Sequence, residues 1–225
     1  MISYSSLSFP EQLAAPTFAA LLRALPPPLQ REALRFHRWQ DQHAALLGKL
    51  LVRHLLVHSG YPTDALETLY RDALGKPRLP LPVDFSISHS GTVVACALST
   101  HHCVGLDVEQ VLPYELDDFR QLLRPDEAQA LAATNMSQNF CQLWTRKESF
   151  VKAKGVGLVS NLRLQDVYVN AAHCHYQPAA GRAEQWYYYS LPAPTCYVAT
   201  LCTQAPDLPI EPVPTTITAL LLDAA

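Results

Sequence analysis

The sequence lacks the features that mark membrane, secreted and nucleic-acid-binding proteins. It has no run of the roughly 20 uncharged apolar residues that a membrane-spanning helix requires. The longest candidate, residues 46–57, is interrupted by Lys49, Arg53 and His54. No basic segment followed by an apolar run opens the chain, so a signal peptide is not indicated. A net charge of -3 gives no electrostatic reason to bind nucleic acid or an anionic membrane surface. We therefore expect a cytoplasmic monomer.

Several common site motifs are also missing. The 6 cysteines lie singly among apolar neighbours without any Cys-x-x-Cys spacing, which favours reduced, buried thiols over a zinc site or a disulfide framework. No serine lies in a Gly-x-Ser-x-Gly motif, which argues against a serine hydrolase of that type. No glycine-rich phosphate-binding loop of the Walker or dinucleotide-binding type occurs, which argues against a nucleotide-binding protein of those types.

What is present indicates a folded protein with a substantial core. The 225 residues are 49% hydrophobic and 16% charged, which is enough for one large domain or two small ones. Apolar residues at helical spacing predict long helices, which we place at residues 11–25, 29–57 and 139–154. Shorter helical segments are expected at residues 116–123 and from about residue 124. Alternating and β-branched runs predict strands at residues 83–91, 92–98, 103–109, 162–169, 185–191, 197–202 and 216–222.

Two of these strands are similar to each other. Residues 93–98 read Val-Val-Ala-Cys-Ala-Leu and residues 197–202 read Tyr-Val-Ala-Thr-Leu-Cys, and each follows a long helix and a further strand. Such a repeat suggests an internal duplication. We predict an α+β fold of two similar lobes, residues 1–103 and 104–225. Each lobe is expected to be a small antiparallel sheet packed on a long helix, with the two related by pseudo-twofold symmetry.

The segment Gly-Leu-Asp-Val-Glu at residues 105–109 is the strongest candidate for chemistry. In a strand, Asp107 and Glu109 point to the same face with their backbones about 7 Å apart. Two like charges in a partly buried position are unfavourable unless a cation neutralises them. The pair therefore predicts a site for one hard cation.

A third carboxylate lies on the helix predicted at residues 139–154. Glu148 and Lys152 are four residues apart and share one helix face with Trp144. On its own this spacing is more typical of a surface ion pair. Together with Asp107 and Glu109, however, Glu148 would complete an oxygen-rich site suited to Mg²⁺ or Mn²⁺.

Two further segments could contact phosphate. Gly75-Lys76-Pro77 is a rigid turn that presents its lysine. Ser88-His89-Ser90 ends a strand, where its hydroxyls and imidazole can either satisfy a turn or donate hydrogen bonds to a phosphate.

Taken in order and spacing, these segments resemble the 4'-phosphopantetheinyl transferases of the surfactin-synthetase-activating type. The motifs that carry the resemblance span most of the chain: Gly75-Lys76-Pro77, Phe85-Ser86-Ile87-Ser88-His89-Ser90, Val104-Gly105-Leu106-Asp107-Val108-Glu109, and the run from Trp144 to Lys152.

The resemblance implies transfer of the phosphopantetheine arm of coenzyme A to a serine of an acyl- or peptidyl-carrier protein, with release of adenosine 3',5'-bisphosphate. It implies that Asp107, Glu109 and Glu148 bind the metal and that Glu148 also acts as the general base. Lys152 would stabilise the leaving phosphate and, with Lys76, Ser88 and His89, bind coenzyme A. The apo carrier protein would dock on residues 111–123, where Leu112, Tyr114, Phe119, Leu122 and Leu123 could equally be core residues.

One part of the chain departs from the family pattern. Relatives commonly carry basic residues that bind the 3'-phosphate of coenzyme A, and the matching positions here are Leu29, Glu32 and Ala44. Arg53 is our candidate replacement for them, and Arg31, Arg35 and Arg38 are alternatives. Two other functions stay open: a coenzyme A or carrier-binding module without turnover, and a Mg²⁺-dependent phosphohydrolase, which would not explain the Gly-Lys-Pro turn.

Overall fold

The structure is a computed structural model that describes residues 1–132, 136–156, 164–170, 172–176 and 182–223. None of the helices in these ranges is long and apolar enough to cross a membrane.

The first half of the chain forms a sheet covered by a long helix. Its elements are β1 (Ile2–Ser8), α1 (Ala15–Arg23), α2 (Pro27–Leu34), α3 (Trp39–His58), the short hairpin β2 (Tyr70–Arg71) and β3 (Pro77–Arg78), β4 (Asp84–Ser90) and β5 (Val93–Ser99). β5 lies between β1 and β4 and is antiparallel to both. The predicted hairpin of residues 83–98 is confirmed.

The second half forms another sheet and another long helix. Its elements are β6 (Val104–Gln110), α4 (Leu116–Phe119), α5 (Pro125–Ala132), α6 (Met136–Lys154), β7 (Val167–Val169), β8 (His173–Tyr176), β9 (Glu184–Leu191) and β10 (Tyr197–Thr203). The strand order is β6-β10-β9-β8-β7, and every neighbouring pair is antiparallel. The last elements are β11 (Ile210–Pro212) and α7 (Ile217–Leu222).

Three strands of each sheet have the same topology. The order β1-β5-β4 in the first corresponds to β6-β10-β9 in the second, with the same antiparallel directions. α3 packs on the first sheet and α6 on the second. The predicted α+β fold is therefore confirmed, and the common topology is compatible with a duplication. The chain's end returns to the first sheet, because β11 pairs in parallel with β1. The division of lobes between residues 103 and 104 stays a prediction.

Among the described residues there are four clusters of buried apolar residues, and three of them hold these layers together. One lies between the first sheet and α3, whose leucines 46, 47, 50, 51, 55 and 56 are fully buried and each contribute about 2 kcal/mol. A second lies between the second sheet and α6 and includes Phe150 and Trp186. The third is shared by both sheets and includes Tyr4, Val108 and Leu201. The two halves therefore have a common core.

Polar side chains of β4 complete the junction between the halves. β6 is an edge strand of its sheet, so one row of its backbone amides lacks a strand partner. Four side chains along β4 accept hydrogen bonds from these amides: Asp84 from Val104 N, Ser86 from Leu106 N, Ser88 from Val108 N and Ser90 from Gln110 N, at 2.9, 2.9, 3.2 and 3.1 Å. We call these four residues the β4 ladder.

Some element predictions were wrong. The helix predicted at residues 29–57 is two helices, because residues 35–38 are exposed and place no side chain in the core. The prolines at 26–28 not only end α1 but also begin α2, a position that suits proline. Residues 216–222 form a helix rather than a strand, since Thr216 Oγ1 caps its amino end by accepting from Ala219 N at 3.0 Å. Strand β1 was not predicted. Residues 162 and 163 of another predicted strand lie outside the described ranges, and that strand is observed from Val167.

Candidate active site

A cleft at the junction of the two halves gathers most of the predicted site residues. One part, of about 350 Å³, is lined by Ile87, Ser88, His89, Asp107, Glu109, Trp144, Glu148 and Lys152. An adjoining part of about 330 Å³ is lined by Ile87, Glu148 and Lys152 again, and by residues that include Gly75, Lys76, Pro77 and Ser86. The cleft therefore brings together all four motifs of the sequence analysis: the turn at residues 75–77, the end of β4, strand β6 and helix α6.

Gly105 explains how α6 comes so close to β6. A β-carbon at this position would overlap the carbonyl oxygen of Ser149 and the backbone nitrogen of Ala153, both on α6. Only glycine allows this approach of helix and strand. The contact places Glu148 and Lys152 of α6 beside Asp107 on β6.

Asp107 is the most enclosed of the acids, with 3% of its surface exposed. Its Oδ1 accepts hydrogen bonds from Lys152 Nζ at 2.6 Å and from Ser88 Oγ at 2.9 Å. Lys152 Nζ also donates to Ser88 Oγ at 2.9 Å. The other oxygen of Asp107, Oδ2, is buried and has no hydrogen-bond partner in the described part of the chain.

The other two carboxylates are half-buried and lie in the same field of negative charge. Glu109 Oε2 accepts from Ser90 Oγ at 2.7 Å. Burial raises the pKa of Glu109, the charge of Asp107 raises it further, and the bond from Ser90 opposes this. Burial likewise raises the pKa of Glu148 to about 7, with Asp107 adding to the shift and Lys152 opposing it. Glu148 Oε1 is buried without a hydrogen-bond partner among the described residues.

These unpartnered oxygens bear on the expected metal. A buried carboxylate oxygen without a partner is costly, and a hard cation is a partner that it prefers. The donor set of Asp107, Glu109 and Glu148 therefore fits Mg²⁺ in kind. Within the described ranges, however, no three His, Cys, Asp or Glu side chains are grouped closely enough to hold a metal as they stand. The Lys152 ammonium occupies Asp107 Oδ1 and supplies the neutralising charge in this arrangement.

Lys76 reaches the cleft as part of a second ion pair. Its Nζ lies 2.8 Å from Asp84 Oδ2 and 3.3 Å from the carbonyl oxygen of Val104. Arg78 Nη1 lies 2.7 Å from the other oxygen of Asp84. Burial lowers the pKa of Lys76, while the charge of Asp84 opposes this shift. The turn thus fixes a cation at the cleft wall, close to the junction.

His89 lies on β4 between Ser88 and Ser90 and is exposed at the cleft. Surrounding protein atoms lower the pKa of His89, and the nearby charge of Lys152 lowers it further. A neutral imidazole is therefore favoured, which can both donate and accept a hydrogen bond.

Arg53 is not brought to this cleft. It is 5% exposed, and its guanidinium donates to the carbonyl oxygens of Ala24 and Leu220 at 2.7 and 3.5 Å. These carbonyls belong to the carboxyl ends of α1 and α7, where a cation is favourable. The guanidinium therefore has a structural explanation, and its predicted contact with coenzyme A has no support from the geometry.

The other early-helix positions are divided between core and surface. Leu29 and Ala44 are buried, and Glu32 pairs with Arg71 and Lys49. The alternative basic residues, Arg31, Arg35 and Arg38, are all exposed and available to solvent.

The predicted carrier-docking segment, residues 111–123, is mixed. Leu112 is 46% exposed, whereas Leu123 is buried. The rings of Tyr114 and Phe119 pack against Phe140 in tilted orientations, with centroids 4.8 and 4.6 Å from that of Phe140. Leu122 packs against the core under α6. Core packing therefore accounts for most of these side chains, and Leu112 is the one among the five that is exposed.

The structure adds contacts that the sequence reasoning did not assign. Asp84, which was not among the predicted site residues, pairs with Lys76, and Ser90 donates to Glu109 rather than to a phosphate. Both belong to the β4 ladder, whose polar residues recur at every second position from 84 to 90. That alternation was the available signal, since it places all four side-chain oxygens on one face of the strand.

Comparison with known proteins bears on the family. Residues 103–202 match the family described as the 4'-phosphopantetheinyl transferase superfamily, and residues 13–101 match the amino-terminal part of a 4'-phosphopantetheinyl transferase. The chain is 31% identical over 163 residues to the 4'-phosphopantetheinyl transferase gsp of Aneurinibacillus migulanus, a match that covers 70% of this chain and 68% of gsp. The chain belongs to the 4'-phosphopantetheinyl transferase superfamily.

Other members of this superfamily are similar over shorter stretches. The chain is 34% identical to the 4'-phosphopantetheinyl transferase Sfp of Bacillus subtilis over 138 residues, which is 59% of this chain and 61% of Sfp. The match thus spans less than two thirds of Sfp. A solved holo-[acyl-carrier-protein] synthase from Thermotoga maritima aligns with 45% of this chain at 18% identity and a TM-score of 0.33, too low to indicate a shared overall fold. The predicted family and enzyme class are confirmed by sequence relatives.

Proposed function

We propose that this chain transfers the 4'-phosphopantetheine moiety of coenzyme A to a serine of an acyl- or peptidyl-carrier protein and releases adenosine 3',5'-bisphosphate. The observation that carries this proposal is the meeting of Lys76, Ser88, His89, Lys152 and the three carboxylates in one cleft. Motifs that are about 70 residues apart in sequence come together there, as a single reaction centre requires.

Cations and donors along the cleft suit the phosphates of coenzyme A. Lys76 and Lys152 both line the adjoining part of the cleft, the first on the turn before β3 and the second on α6. Ser88 and His89 line the part next to the carboxylates. Both lysines are now engaged by carboxylates, so binding a pyrophosphate exchanges one anionic partner for another rather than creating a buried charge.

Asp107, Glu109 and Glu148 are the residues that would hold Mg²⁺ or Mn²⁺. Bound there, the metal would neutralise charge on the non-bridging oxygens of the pyrophosphate. Their unpartnered oxygens, Asp107 Oδ2 and Glu148 Oε1, support this assignment.

In the reaction, the hydroxyl oxygen of the carrier serine forms a bond to the phosphorus that bears pantetheine. The bond from that phosphorus to the oxygen of adenosine 3',5'-bisphosphate breaks, and the electron pair leaves with it. Glu148 would accept the serine proton, directly or through a water molecule, and its position on the cleft wall shared by both parts supports this role. Lys152, one helical turn away, would stabilise the charge of the leaving phosphate.

The carrier protein would approach along residues 111–123. This segment follows β6 directly, so its exposed Leu112 lies three residues beyond Glu109. An apolar side chain of a carrier helix could contact Leu112 while the serine enters the cleft.

Mass spectrometry tests the proposal directly. The full chain is incubated with coenzyme A, Mg²⁺ and apo carrier domains from fatty-acid, polyketide and peptide systems. We expect at least one carrier to gain the mass of one phosphopantetheine. Asp107→Ala should abolish the gain, whereas Glu67→Ala, which removes an exposed acid on the first half, should not.

Two outcomes would contradict the proposal. No mass gain on any carrier, with folded protein, would favour a binding module without turnover. Full Mg²⁺-dependent transfer by folded Asp107→Ala would overturn the metal assignment.

A further inference from the structure

The β4 ladder does more than join the two halves of the molecule. Each of its side chains accepts a hydrogen bond from a backbone amide of β6. Two of them also donate to a carboxylate on the same strand: Ser88 to Asp107 and Ser90 to Glu109, at 2.9 and 2.7 Å. Strand β6 therefore receives both its edge contacts and the orientation of its acids from β4.

The contacts of Ser90 determine which hydrogen bond it accepts and which it donates. A serine hydroxyl has one proton to donate and two lone pairs to accept with. The amide of Gln110 can only donate, so Ser90 Oγ must be the acceptor in that 3.1 Å contact. Its single proton is then available for Glu109 Oε2, at a distance typical of a strong bond to an ionised group.

Glu109 needs such a partner more than Asp107 does. Asp107 already has the ammonium of Lys152 at 2.6 Å, whereas Glu109 has neutral donors, the Ser90 hydroxyl at 2.7 Å and the side chain of Trp144. Losing the bond from Ser90 would leave Glu109 Oε2 without its hydroxyl donor and loosen the hold on this side chain.

We propose that Ser90 is a positioning residue, which orients Glu109 so that its remaining oxygen can take part in binding a divalent cation together with Asp107. This inference rests on the proposed function. Ser90 is not among the residues that line the cleft, so it acts through Glu109 and not by touching substrate.

Ser86 provides a matched control within the same ladder. Its Oγ accepts from the amide of Leu106 at 2.9 Å, just as Ser90 accepts from Gln110. The residue on β6 that corresponds to Asp107 and Glu109 is here Gly105, which has no carboxylate. Removing either hydroxyl therefore costs one hydrogen bond to β6, but only Ser90→Ala also frees a carboxylate.

The test is a titration of the full chain with Mn²⁺ alone, followed by calorimetry without coenzyme A or carrier. We expect Ser90→Ala to weaken Mn²⁺ binding about tenfold, as is typical when a partner of a metal ligand is lost. Ser90→Thr keeps the hydroxyl and should stay within about twofold of the unsubstituted chain, as should Ser86→Ala. Thermal unfolding should show similar losses of stability for Ser90→Ala and Ser86→Ala.

The Mn²⁺ affinities of these variants decide whether Ser90 positions Glu109. Equal Mn²⁺ affinity in Ser90→Ala and the unsubstituted chain, or equal weakening in Ser86→Ala, would overturn the positioning role. If Ser90→Ala does not fold, Ser90→Cys replaces it, since the thiol is similar in size but a weak donor, and the same weakening is expected. If Ser90→Ala or Ser90→Cys binds Mn²⁺ as the unsubstituted chain does and still transfers phosphopantetheine, only the role of Ser90 is refuted and the proposed function stands. Failure of the unsubstituted chain to bind Mn²⁺ and to transfer would refute the proposed function as well.

Discussion

At the scale of single residues, both lysines of the cleft are already paired with a carboxylate. Lys152 lies against Asp107, and Lys76 lies against Asp84. Each ion pair joins groups from different elements, so the charges also help to hold the cleft walls together. Buried pairs of this kind contribute little net stability, yet removing one partner leaves an uncompensated charge. Substitutions in the cleft should therefore change ion binding as well as turnover.

Lys152 should compete with a divalent cation for Asp107. In Lys152→Met, the ammonium at 2.6 Å from Asp107 Oδ1 is gone, and we expect Mn²⁺ to bind about tenfold more tightly, which corresponds to roughly 1.4 kcal/mol. Transfer to a carrier should nevertheless fall, since the leaving phosphate loses its cation. Calorimetry and mass spectrometry measure the two effects. Lys154→Met is the control, because Lys154 is on the same helix but pairs with Glu184. Unaltered or weaker Mn²⁺ binding in Lys152→Met would contradict the competition.

His43 should make stability depend on pH. This buried residue packs against Phe18 with ring centroids 4.9 Å apart, and its Nε2 accepts from Leu13 N at 3.0 Å. Burial lowers the pKa of His43 below its value of about 6.5 in an unfolded chain. Between those two pKa values the unfolded chain binds more protons, so the free energy of unfolding falls as the pH decreases below about 6.5, by up to about 1.4 kcal/mol per pH unit.

Urea unfolding between pH 5 and 8 measures this effect. His43→Gln can still accept from the Leu13 amide but cannot take up a proton, so its stability should decline less over the acidic part of that range. The same slope in both proteins would show that His43 is not responsible.

At the scale of elements, the contact of α6 with β6 sets the geometry of the site, and Gly105 makes it possible. Gly105→Ala would place a methyl group against the backbone of Ser149 and Ala153, which cannot move without moving the helix. We expect a loss of about 3 kcal/mol or more in the free energy of unfolding and loss of Mn²⁺ binding. Denaturant titration measures the first and calorimetry the second.

Gly48→Ala is the matched comparison on the other long helix. Its β-carbon would lie 2.7 Å from Ile87 Cγ2, a methyl group of a β-branched side chain, so Ile87 has to shift, whereas the obstacle at Gly105 is backbone. Alanine is also favoured over glycine within a helix by about 1 kcal/mol, which offsets part of this cost. We therefore expect a smaller loss of stability than in Gly105→Ala. A similar loss in both variants would mean that the close approach of α6 to β6 is not the cause.

The elements that could be predicted are those with a strong periodic pattern. Residues 139–154 and the hairpin of residues 83–98 have clear helical or alternating spacing, and both were found. Residues 29–57 were misjudged because nothing at 35–38 breaks a helix by itself, and only their exposure in the folded chain shows the gap. At Thr216 the local signal was present in the sequence. A threonine hydroxyl is well suited to cap a helix, but the β-branched residues of 216–222 favoured the prediction of a strand.

The sequence indicated which residues line the candidate site, but not which ion pairs and hydrogen bonds they form there. Motif spacing indicated Lys76, Asp107, Glu148 and Lys152, and the fold brings them to one cleft. Which cation faces which acid depends on the distance between β6 and α6, and no single motif contains that information. Arg53 shows what the sequence alone does not reveal. It lies on an early helix, as expected of a residue that binds coenzyme A, but its guanidinium donates to a backbone carbonyl away from the cleft.

At the scale of the whole molecule, the two halves depend on each other. They share one apolar core, and the β4 ladder supplies the hydrogen bonds that the edge of β6 would otherwise lack. The returning strand β11 adds a further connection from the end of the chain to β1. The cleft lies at this junction, so neither half contains the complete site.

This dependence predicts that both halves unfold together. Trp39 begins α3 in the first half, and Trp186 lies on β9 in the second, among 3 tryptophans in the chain. Two variants, one with Trp144→Phe and Trp186→Phe and the other with Trp39→Phe and Trp144→Phe, each keep one reporter. Because the shared core is lost when either half opens, fluorescence and circular dichroism should give one coincident urea transition in each variant. Circular dichroism provides the control, since each variant must also show a single transition by that probe. The contrary result is a different urea midpoint for Trp39 than for Trp186, together with two steps in the circular dichroism curve of each variant. In that case the halves are independent folding units, and the shared core contributes little to their stability.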